Sequence, residues 1–514
     1  MHPVPPLASH SLLVFLAAIA VLLAVARLLG RLAERIGMPA IVGELATGVI
    51  LGPSLLLHVL PGVSHWLFPA EANQMHLLDG IAQVGAVLLV GVTGTQLDLG
   101  LLRRAGGTAL TVSGLNLITP LALGVTLGLF LPATVVASGH TSRVVLALFI
   151  GVTMCVSAIP VIAKTLSDMR LLHRNPGQLI LAAGSIDDAV GWLLLSVVSA
   201  AATTGVRTGH VLVTVAYLIA FVLLAGTVGR VGVKKVLIVT TRADEPGPTV
   251  ATAVVIILAG AVTTAALGME PIFGAFIAGT VISASRIGQR QLAALRTLAL
   301  SVLAPLFLAT AGLRVDVTVL ARPMVALTAL VVALVAIFGK FAGAYAGARL
   351  RRLGRWEGIA LGAGMNARGV VEVVIALTGL RLGVLNTTTY TIVVLVALVT
   401  SVMAPPVLRH AMARITQTDE ELARKIDHDT WDGVERLPRA VVLCRRPVRR
   451  PTLRGVRADL RARRGQVTVT GRCAAAAFNA TVEASRSGDA TVHRHRHVDR
   501  PTRTSESEQR VRRT

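Results

Sequence analysis

Two adjacent aspartates, Asp187 and Asp188, lie inside an apolar stretch, residues 178–201, that is long enough to cross a membrane. A carboxylate near the centre of a bilayer costs about 3 kcal/mol even on lenient insertion scales. Two such groups side by side therefore predict a function or a buried partner for each. Successive helical residues point about 100° apart, so one carboxylate can meet a protein partner while the other faces a water-filled cavity.

The candidate charge partner is Lys340, the clearest lysine inside a predicted span. Around it Gly339, Gly343 and Gly347 recur every four residues. Small residues at this spacing let two membrane helices approach closely, so we expect Lys340 to reach Asp187. The alternative is that this ion pair only holds the helix bundle together, which leaves the second aspartate unexplained.

Two apolar stretches are interrupted where a membrane helix should be continuous. One contains Thr153, Ser157 and Pro160, and the other contains a glycine-rich run around Asn366. Interrupted helices at corresponding places in two halves of a chain indicate a transport site, because the freed backbone groups and helix ends can bind ions. An ordinary packed kink at Pro160 is the alternative.

Other charged residues in the apolar stretches are weaker candidates. Arg368 and Glu372 are four residues apart and can neutralise each other on one helix face, so we expect them to brace the interrupted helix. Glu270, at the outer end of its span before Pro271, and Glu44 are further carboxylate candidates. Lys164 lies near the end of its span, where its long side chain can extend to the membrane surface as an anchor.

The composition predicts an all-α membrane protein. Of the 514 residues 54% are hydrophobic and 15% charged, whereas soluble chains usually carry about 25% charged residues. Its 3 cysteines lie far apart, which argues against a zinc site or a disulfide framework, and we expect no cofactor. The hydrophobic pattern predicts thirteen spans, at residues 11–29, 40–60, 79–97, 108–131, 143–165, 178–202, 210–229, 249–268, 271–285, 296–313, 323–348, 357–379 and 388–412.

The basic residues between the spans predict the orientation. Alternate gaps are rich in arginine and lysine, and the other gaps hold few. By the positive-inside rule the basic gaps are cytoplasmic, so we expect the N-terminus outside and the C-terminus inside the cell membrane. The basic gaps contain Arg27, Arg31, Arg35, Arg103, Arg104, Arg170, Arg174, Arg230, Lys234, Lys235, Arg242, Arg286, Arg290, Arg296, Arg349, Arg351, Arg352 and Arg355.

Several motifs, in this order, resemble the monovalent cation:proton antiporter-2 family of sodium or potassium/proton exchangers. The resemblance covers roughly residues 12–412, and the order of the motifs is more specific than any one of them. They are Met38-Pro-Ala-Ile-Val-Gly43-Glu44, Gly48-Val-Ile-Leu-Gly52-Pro53-Ser54, Ser157-Ala-Ile-Pro160, Asp187-Asp188, Phe273-Gly-Ala-Phe-Ile-Ala-Gly279, Pro305-Leu-Phe, Gly312-Leu-Arg-Val-Asp316, Gly339-Lys340 and Asn366-Ala-Arg368-Gly369.

The resemblance implies a role for each part of the site. Asp188 would bind the cation and the proton alternately, while Asp187 pairs with Lys340. Thr153 and Ser157 would lie near the ion where the interrupted helices cross. One departure is Thr95-Gln-Leu-Asp98, where relatives usually have Gly-Leu-Glu, which puts a role for that glutamate in doubt.

The same resemblance implies the architecture and the activity. The fold would be an all-α sodium/proton antiporter fold of about 13 helices with an inverted repeat, assembled as a homodimer. A core of spans 4–6 and 11–13 would move like an elevator against the remaining helices, exchanging Na⁺ or K⁺ for H⁺ across the lipid bilayer. A cation channel or a proton-coupled efflux component is the alternative. An intramembrane aspartyl protease needs aspartates from two helices, so no enzyme is expected.

The character of the chain changes after the last span. We expect residues 1–414 to form the membrane domain and residues 415–514 a basic cytoplasmic tail, disordered in the absence of a recognisable fold. The tail has no glycine-rich nucleotide-binding motif after a strand. Contact with anionic lipid is a further possibility for the tail, no nucleic-acid partner is expected, and a degraded or frameshifted domain remains an alternative.

Overall fold

The structure is a computed structural model of the chain, and the residues it describes are 8–69, 71–97, 99–136, 142–204, 208–241, 245–285, 291–422, 461–463, 466–473, 476–484 and 490–495. They belong to two units, Met1–Glu421 and Leu422–Thr514. Asp98, at the departure from the family pattern, lies outside the described residues.

Helices build the first unit. Its first half contains α1 (Ser9–Arg35), α2 (Ala40–Leu51), α3 (Leu56–Val59), α4 (Pro61–Leu67), α5 (Ala72–Thr95), α6 (Leu99–Phe130), α7 (Arg143–Cys155), α8 (Ile159–Asp168) and α9 (Asn175–Thr204). Its second half contains α10 (Thr208–Leu224), α11 (Arg230–Thr240), α12 (Gly247–Ala266), α13 (Pro271–Ser285), α14 (Leu292–Leu298), α15 (Ala304–Gly312), α16 (Pro323–Leu350), α17 (Arg355–Met365), α18 (Val370–Arg381) and α19 (Thr387–Met412).

Short π-helical segments join two pairs of these helices. Ala225–Gly229 continues α10 into α11, and Ala299–Leu303 continues α14 into α15. A 3₁₀ turn at Val317–Ala321 precedes α16. Each pair therefore runs as one long helical rod. The predicted span 210–229 ends where α11 begins, so Arg230, Lys234 and Lys235, which were expected in a gap between spans, lie in this helix.

The predicted all-α membrane fold is confirmed, but the count of thirteen spans is not. Within the described residues, ten helices are long and apolar enough to cross a membrane, or eleven if the bent pair α17 and α18 is one span. The predicted spans 143–165 and 271–285 correspond to shorter apolar helices, Arg143–Cys155 and Pro271–Ser285. Hydropathy detects total apolar length, so it cannot separate a crossing helix from a broken or short one.

Two helices of the membrane unit are interrupted by short non-helical segments. Between α7 and α8 the chain is extended at Val156 and Ala158. Pro160 lies in the first turn of α8, where the missing N–H of proline removes no helical hydrogen bond. Pro160 therefore starts a second half-helix rather than kinking a continuous one. The second break separates α17 from α18, which meet at 45°.

The membrane helices pack in two groups. One group has α6 at its centre, in contact with α7, α9 and α16, while α17 packs on α16 and α19. The other includes α1, α2 and α15, together with α5, α12 and α13. The backbones of α6 and α16 approach closely: a Cβ on Gly343 would lie 2.5 Å from Leu115 O, and one on Gly347 would lie 2.7 Å from Val112 Cα. The predicted glycine stripe thus faces α6.

The second unit contains an antiparallel sheet that was not predicted. Its strands are β1 (Arg461–Arg463), β2 (Gln466–Cys473), β3 (Ala476–Ala484) and β4 (Ala490–His495), in the order β1-β2-β3-β4. The longest pairing sets Gln466 opposite Glu483 and Cys473 opposite Ala476. Consecutive strands are neighbours throughout, as in a simple meander.

Candidate ion-binding site

Asp187 is fully buried and surrounded by hydrogen-bond donors. Ser113 Oγ lies 2.6 Å from its Oδ1, while Asn116 Nδ2 and Ser157 Oγ lie 2.5 and 2.9 Å from its Oδ2. The ammonium group of Lys340 is 3.2 Å from the same Oδ2, and both side chains are 0% exposed. A buried carboxylate with these four donors is compensated in both charge and hydrogen bonding.

Helix packing explains why these donors converge on Asp187. Ser113 and Asn116 are three residues apart on α6, so they share one helix face. Gly343 lets α16 contact the α6 backbone at this level, which brings Lys340 to the same place. Sequence reasoning missed Ser113 and Asn116, although two polar residues at this spacing in an apolar span are a usable signal.

Asp188 has the same burial and the opposite surroundings. Its side chain is 0% exposed, and within the described part of the chain neither of its oxygens has a hydrogen-bond partner. The backbone amide of Ile159, the first residue of α8, lies close to this carboxylate without meeting the geometry of a hydrogen bond. The N-terminal end of a half-helix therefore adjoins an uncompensated acidic group.

The two interrupted helices cross beside the aspartate pair. Ser157 Oγ is 3.2 Å from Met365 O, and Ala158 N donates to Ala367 O at 3.4 Å. Asn366 follows the end of α17 and is 0% exposed. Among the described residues, no group hydrogen-bonds either its amide nitrogen or its amide oxygen. The crossing thus contributes a second buried polar side chain without a partner.

Arg368 connects the two breaks. Its Nη1 donates to Thr153 O at 2.9 Å and its Nη2 to Met154 O at 2.8 Å, which satisfies two carbonyls in the last turn of α7. Nη1 also lies 2.8 Å from Glu372 Oε1, and both side chains are buried. The Thr153 hydroxyl donates to Ile150 O within α7 at 2.8 Å, so its lone pairs remain available to a ligand.

The transmembrane model of the sodium/hydrogen exchanger family matches residues 19–414 of the chain. This match spans most of the sequence and contains every residue of the site. The chain belongs to this family. The assignment to the monovalent cation:proton antiporters, made from the motifs, is confirmed, and the family is one of transporters rather than enzymes.

Named relatives agree with this membership. The chain is 32% identical over 403 residues to the Na⁺/H⁺ antiporter NhaS4 of Synechocystis, covering 78% of this chain and 97% of that protein. It is 30% identical over 385 residues to the K⁺/H⁺ antiporter 1 of Saccharomyces cerevisiae, covering 72% of this chain and 43% of that longer protein. The sodium proton antiporter MjNhaP1 of Methanocaldococcus jannaschii shares the fold, with a TM-score of 0.57 at 16% identity, over 81% of this chain and 99% of that one.

Among the described residues, the remaining charged candidates of this family member form no ion pair with the aspartates. Lys164 pairs with Glu34 at 2.8 Å, and its side chain is 50% exposed. Glu270 is buried and accepts hydrogen bonds from Arg381 at 2.9 Å and from Thr378 at 3.2 Å. These groups join α8 to α1, and α18 to the loop before α13. A further carboxylate, that of Glu44, is buried in α2 against α1.

Proposed function

We propose that the protein exchanges a monovalent cation, Na⁺ or K⁺, for protons, and that Asp188 carries each of them in turn. The observation that carries this proposal is the contrast between two neighbouring carboxylates: Asp187 is compensated by four donors, and Asp188 is buried without a donor from the described part of the chain. A buried charged carboxylate without a partner is very costly. A proton or a cation removes that cost, and each excludes the other.

Exchange follows from this competition. The form with an empty, charged Asp188 is too costly to cross the membrane, so the site reorients only when it is loaded. A site that leaves one side with a cation and returns with a proton couples the two fluxes without a separate gate. Lys340 stays with Asp187 through the cycle and keeps that carboxylate from competing for the cation.

The crossing helices supply the other ligands in this proposal. The amide oxygen of Asn366 and the hydroxyl of Thr153 are uncharged oxygens, which suit a hard cation. The Ser157 hydroxyl donates to Asp187 and accepts from Lys340, so it would offer the cation only its remaining lone pair. The buried, unpartnered amide of Asn366 supports a ligand role. Arg368 and Glu372 hold the end of α7 in place, so the ligands keep their positions when the cation leaves.

The movement we propose is an elevator step. The group formed by α6–α9 and α16–α19 carries the whole site and would slide against the remaining helices. Its close internal packing through the Gly343 contact supports motion as one body. We further propose a homodimer in the cell membrane with the N-terminus outside, since the basic gaps of the sequence favour that orientation.

The test is cation-driven proton movement in proteoliposomes, compared for Na⁺, K⁺ and Li⁺. Asp188→Asn keeps the size of the side chain but can neither hold the cation's charge nor release a proton, so we expect exchange to disappear while the protein stays folded. The control is Asp168→Asn, at an acidic side chain that is 63% exposed. Exchange at the wild-type rate by Asp188→Asn would remove Asp188 from the site, and cation flux without counter-moving protons would support the channel alternative.

A further inference from the structure

The chain after the last membrane helix returns to the ends of two helices of the site. The guanidinium of Arg414 lies 4.3 Å from the ring centre of Trp356, in the first turn of α17. His410, in the last turn of α19, contacts the same ring edge-on at 5.9 Å. Cation–π contacts of this kind favour a fixed position for the arginine. We call residues 413–421 the return segment.

The return segment ends in a buried ion pair at the start of α9. Arg174 directly precedes α9, and its Nε is 3.0 Å from Glu421 Oε2. The two side chains are only 6% and 2% exposed. Arg174 Nη2 also donates to Ile415 O at 2.8 Å, so one arginine binds the segment near its start and at its end.

The Glu421 carboxylate accepts hydrogen bonds from the start of α9 and from its own turn. Its Oε1 accepts the backbone N–H of Asn175, the first residue of α9, at 2.5 Å. Its Oε2 accepts the backbone N–H of Thr418 at 3.0 Å. Burial opposes the charged form, but these two amides and Arg174 outweigh it and hold the pKa of the Glu421 carboxyl below its usual value. A carboxylate at a helix N-terminus is also favoured by the helix dipole.

Both helices that the return segment contacts lead to the site. α9 runs from Asn175 to Asp188 and beyond, and α17 runs from Trp356 to the break that contains Asn366. A helix transmits a displacement of one end to the other, because its backbone hydrogen bonds make it a stiff rod. The segment also extends beyond residue 414, where the match to the family ends.

We propose that the return segment holds α9 and α17 at a fixed position relative to each other, and that Arg174 and Glu421 are positioning residues for the cation site at Asp188. This inference rests on the proposed function of Asp188. Loss of the Arg174–Glu421 ion pair should make the distance between the Asp188 carboxylate and the Asn366 amide more variable. The cation would then bind more weakly, while the chemistry at the carboxylate is unchanged.

The test uses the full-length protein in proteoliposomes. We expect Glu421→Gln and Arg174→Gln each to raise the apparent KM for the cation at least threefold, with a smaller change in the maximal rate per folded protein. Asp419→Asn is the matched control, because Asp419 is an exposed acidic residue of the same segment. A merely structural role would lower the amount of folded protein and leave KM unchanged.

Two further measurements keep the inference falsifiable. Arg174→Lys keeps the positive charge and should give an apparent KM between those of the wild type and Arg174→Gln, and Glu421→Asp should give an intermediate value if Glu421→Gln folds poorly. Hydrogen–deuterium exchange should rise at the first turn of α9 in Glu421→Gln but not in Asp419→Asn. Wild-type KM and wild-type protection in Glu421→Gln would overturn this inference alone, whereas absence of exchange in the wild type would overturn the proposed function with it.

Discussion

At the scale of residues, the two aspartates differ through the neighbours that adjacent helices supply. Successive positions on α9 face different directions, so Asp187 meets α6 and α16 while Asp188 faces the start of α8. Burial is equal for the two side chains, both 0% exposed. What separates their surroundings is therefore the count of donors: four surround Asp187, and among the described residues none hydrogen-bonds Asp188.

The ion pair at Asp187 makes a prediction about stability. Lys340→Ala leaves a buried carboxylate without its counter-charge, so we expect the free energy of unfolding to fall by about 3–5 kcal/mol. Adding Asp187→Asn removes the uncompensated charge and should recover part of that loss. The measurement is denaturant or thermal unfolding of the purified single and double variants in detergent. Strictly additive losses would mean that the two residues do not interact.

Sequence reasoning reached some of these residues and missed others. Lys340 stands out because a lysine in an apolar span is rare, and the structure places it against Asp187. Ser113 and Asn116 carry no charge and are not among the predicted site residues, although two polar residues at this spacing in an apolar span are a usable signal. Glu421 follows Thr418 with the spacing of a capping box, but only the folded chain brings it to α9.

At the scale of elements, close backbone contact positions the site. Gly343 allows α16 to touch α6, and that contact sets how far Lys340 is from Asp187. The sequence predicts the stripe of small residues but not the helix that it meets, because periodicity identifies a face and not its partner. The interrupted helices were predicted from proline, glycine and hydroxyl residues in apolar runs. Because these helices are broken into shorter pieces, the predicted count of thirteen spans is not confirmed.

The contact at Gly343 can be tested with one methyl group. In Gly343→Ala the new Cβ would lie 2.5 Å from Leu115 O and 3.0 Å from Asn116 Cα, so the helices must separate. We expect a loss of about 1–3 kcal/mol in stability, typical of overpacking, together with slower exchange. Thermal unfolding and proteoliposome exchange measure the two effects.

The control for this substitution lies on the facing helix. A Cβ on Gly114 of α6 would meet nothing within 4 Å, so Gly114→Ala should leave both stability and exchange at or above the wild-type level. Equal damage from Gly114→Ala and Gly343→Ala would show that any extra methyl group on these helices is harmful. The α6–α16 contact would then have no special role.

At the scale of the whole molecule, composition and loop charge predict a membrane protein in which most apolar segments cross the bilayer. The family match covers residues 19–414. In the structure the first unit extends beyond residue 414, since the return segment continues it to Glu421. Three-dimensional contact alone reveals this extension, because residues 416–421 are polar and lack any hydrophobic pattern.

The central claim is that one carboxylate serves both substrates, and the pH dependence of exchange tests it most directly. Cation-driven currents or proton movements should be recorded in proteoliposomes over a series of pH values and cation concentrations. If the proton and the cation compete for Asp188, the apparent KM for the cation should rise about tenfold for each pH unit on the acid side, with an unchanged maximal rate. Asp188→Glu should keep this competition at a shifted pH. A KM that stays constant while the maximal rate falls with acidity would place the proton and the cation on separate groups and contradict the account.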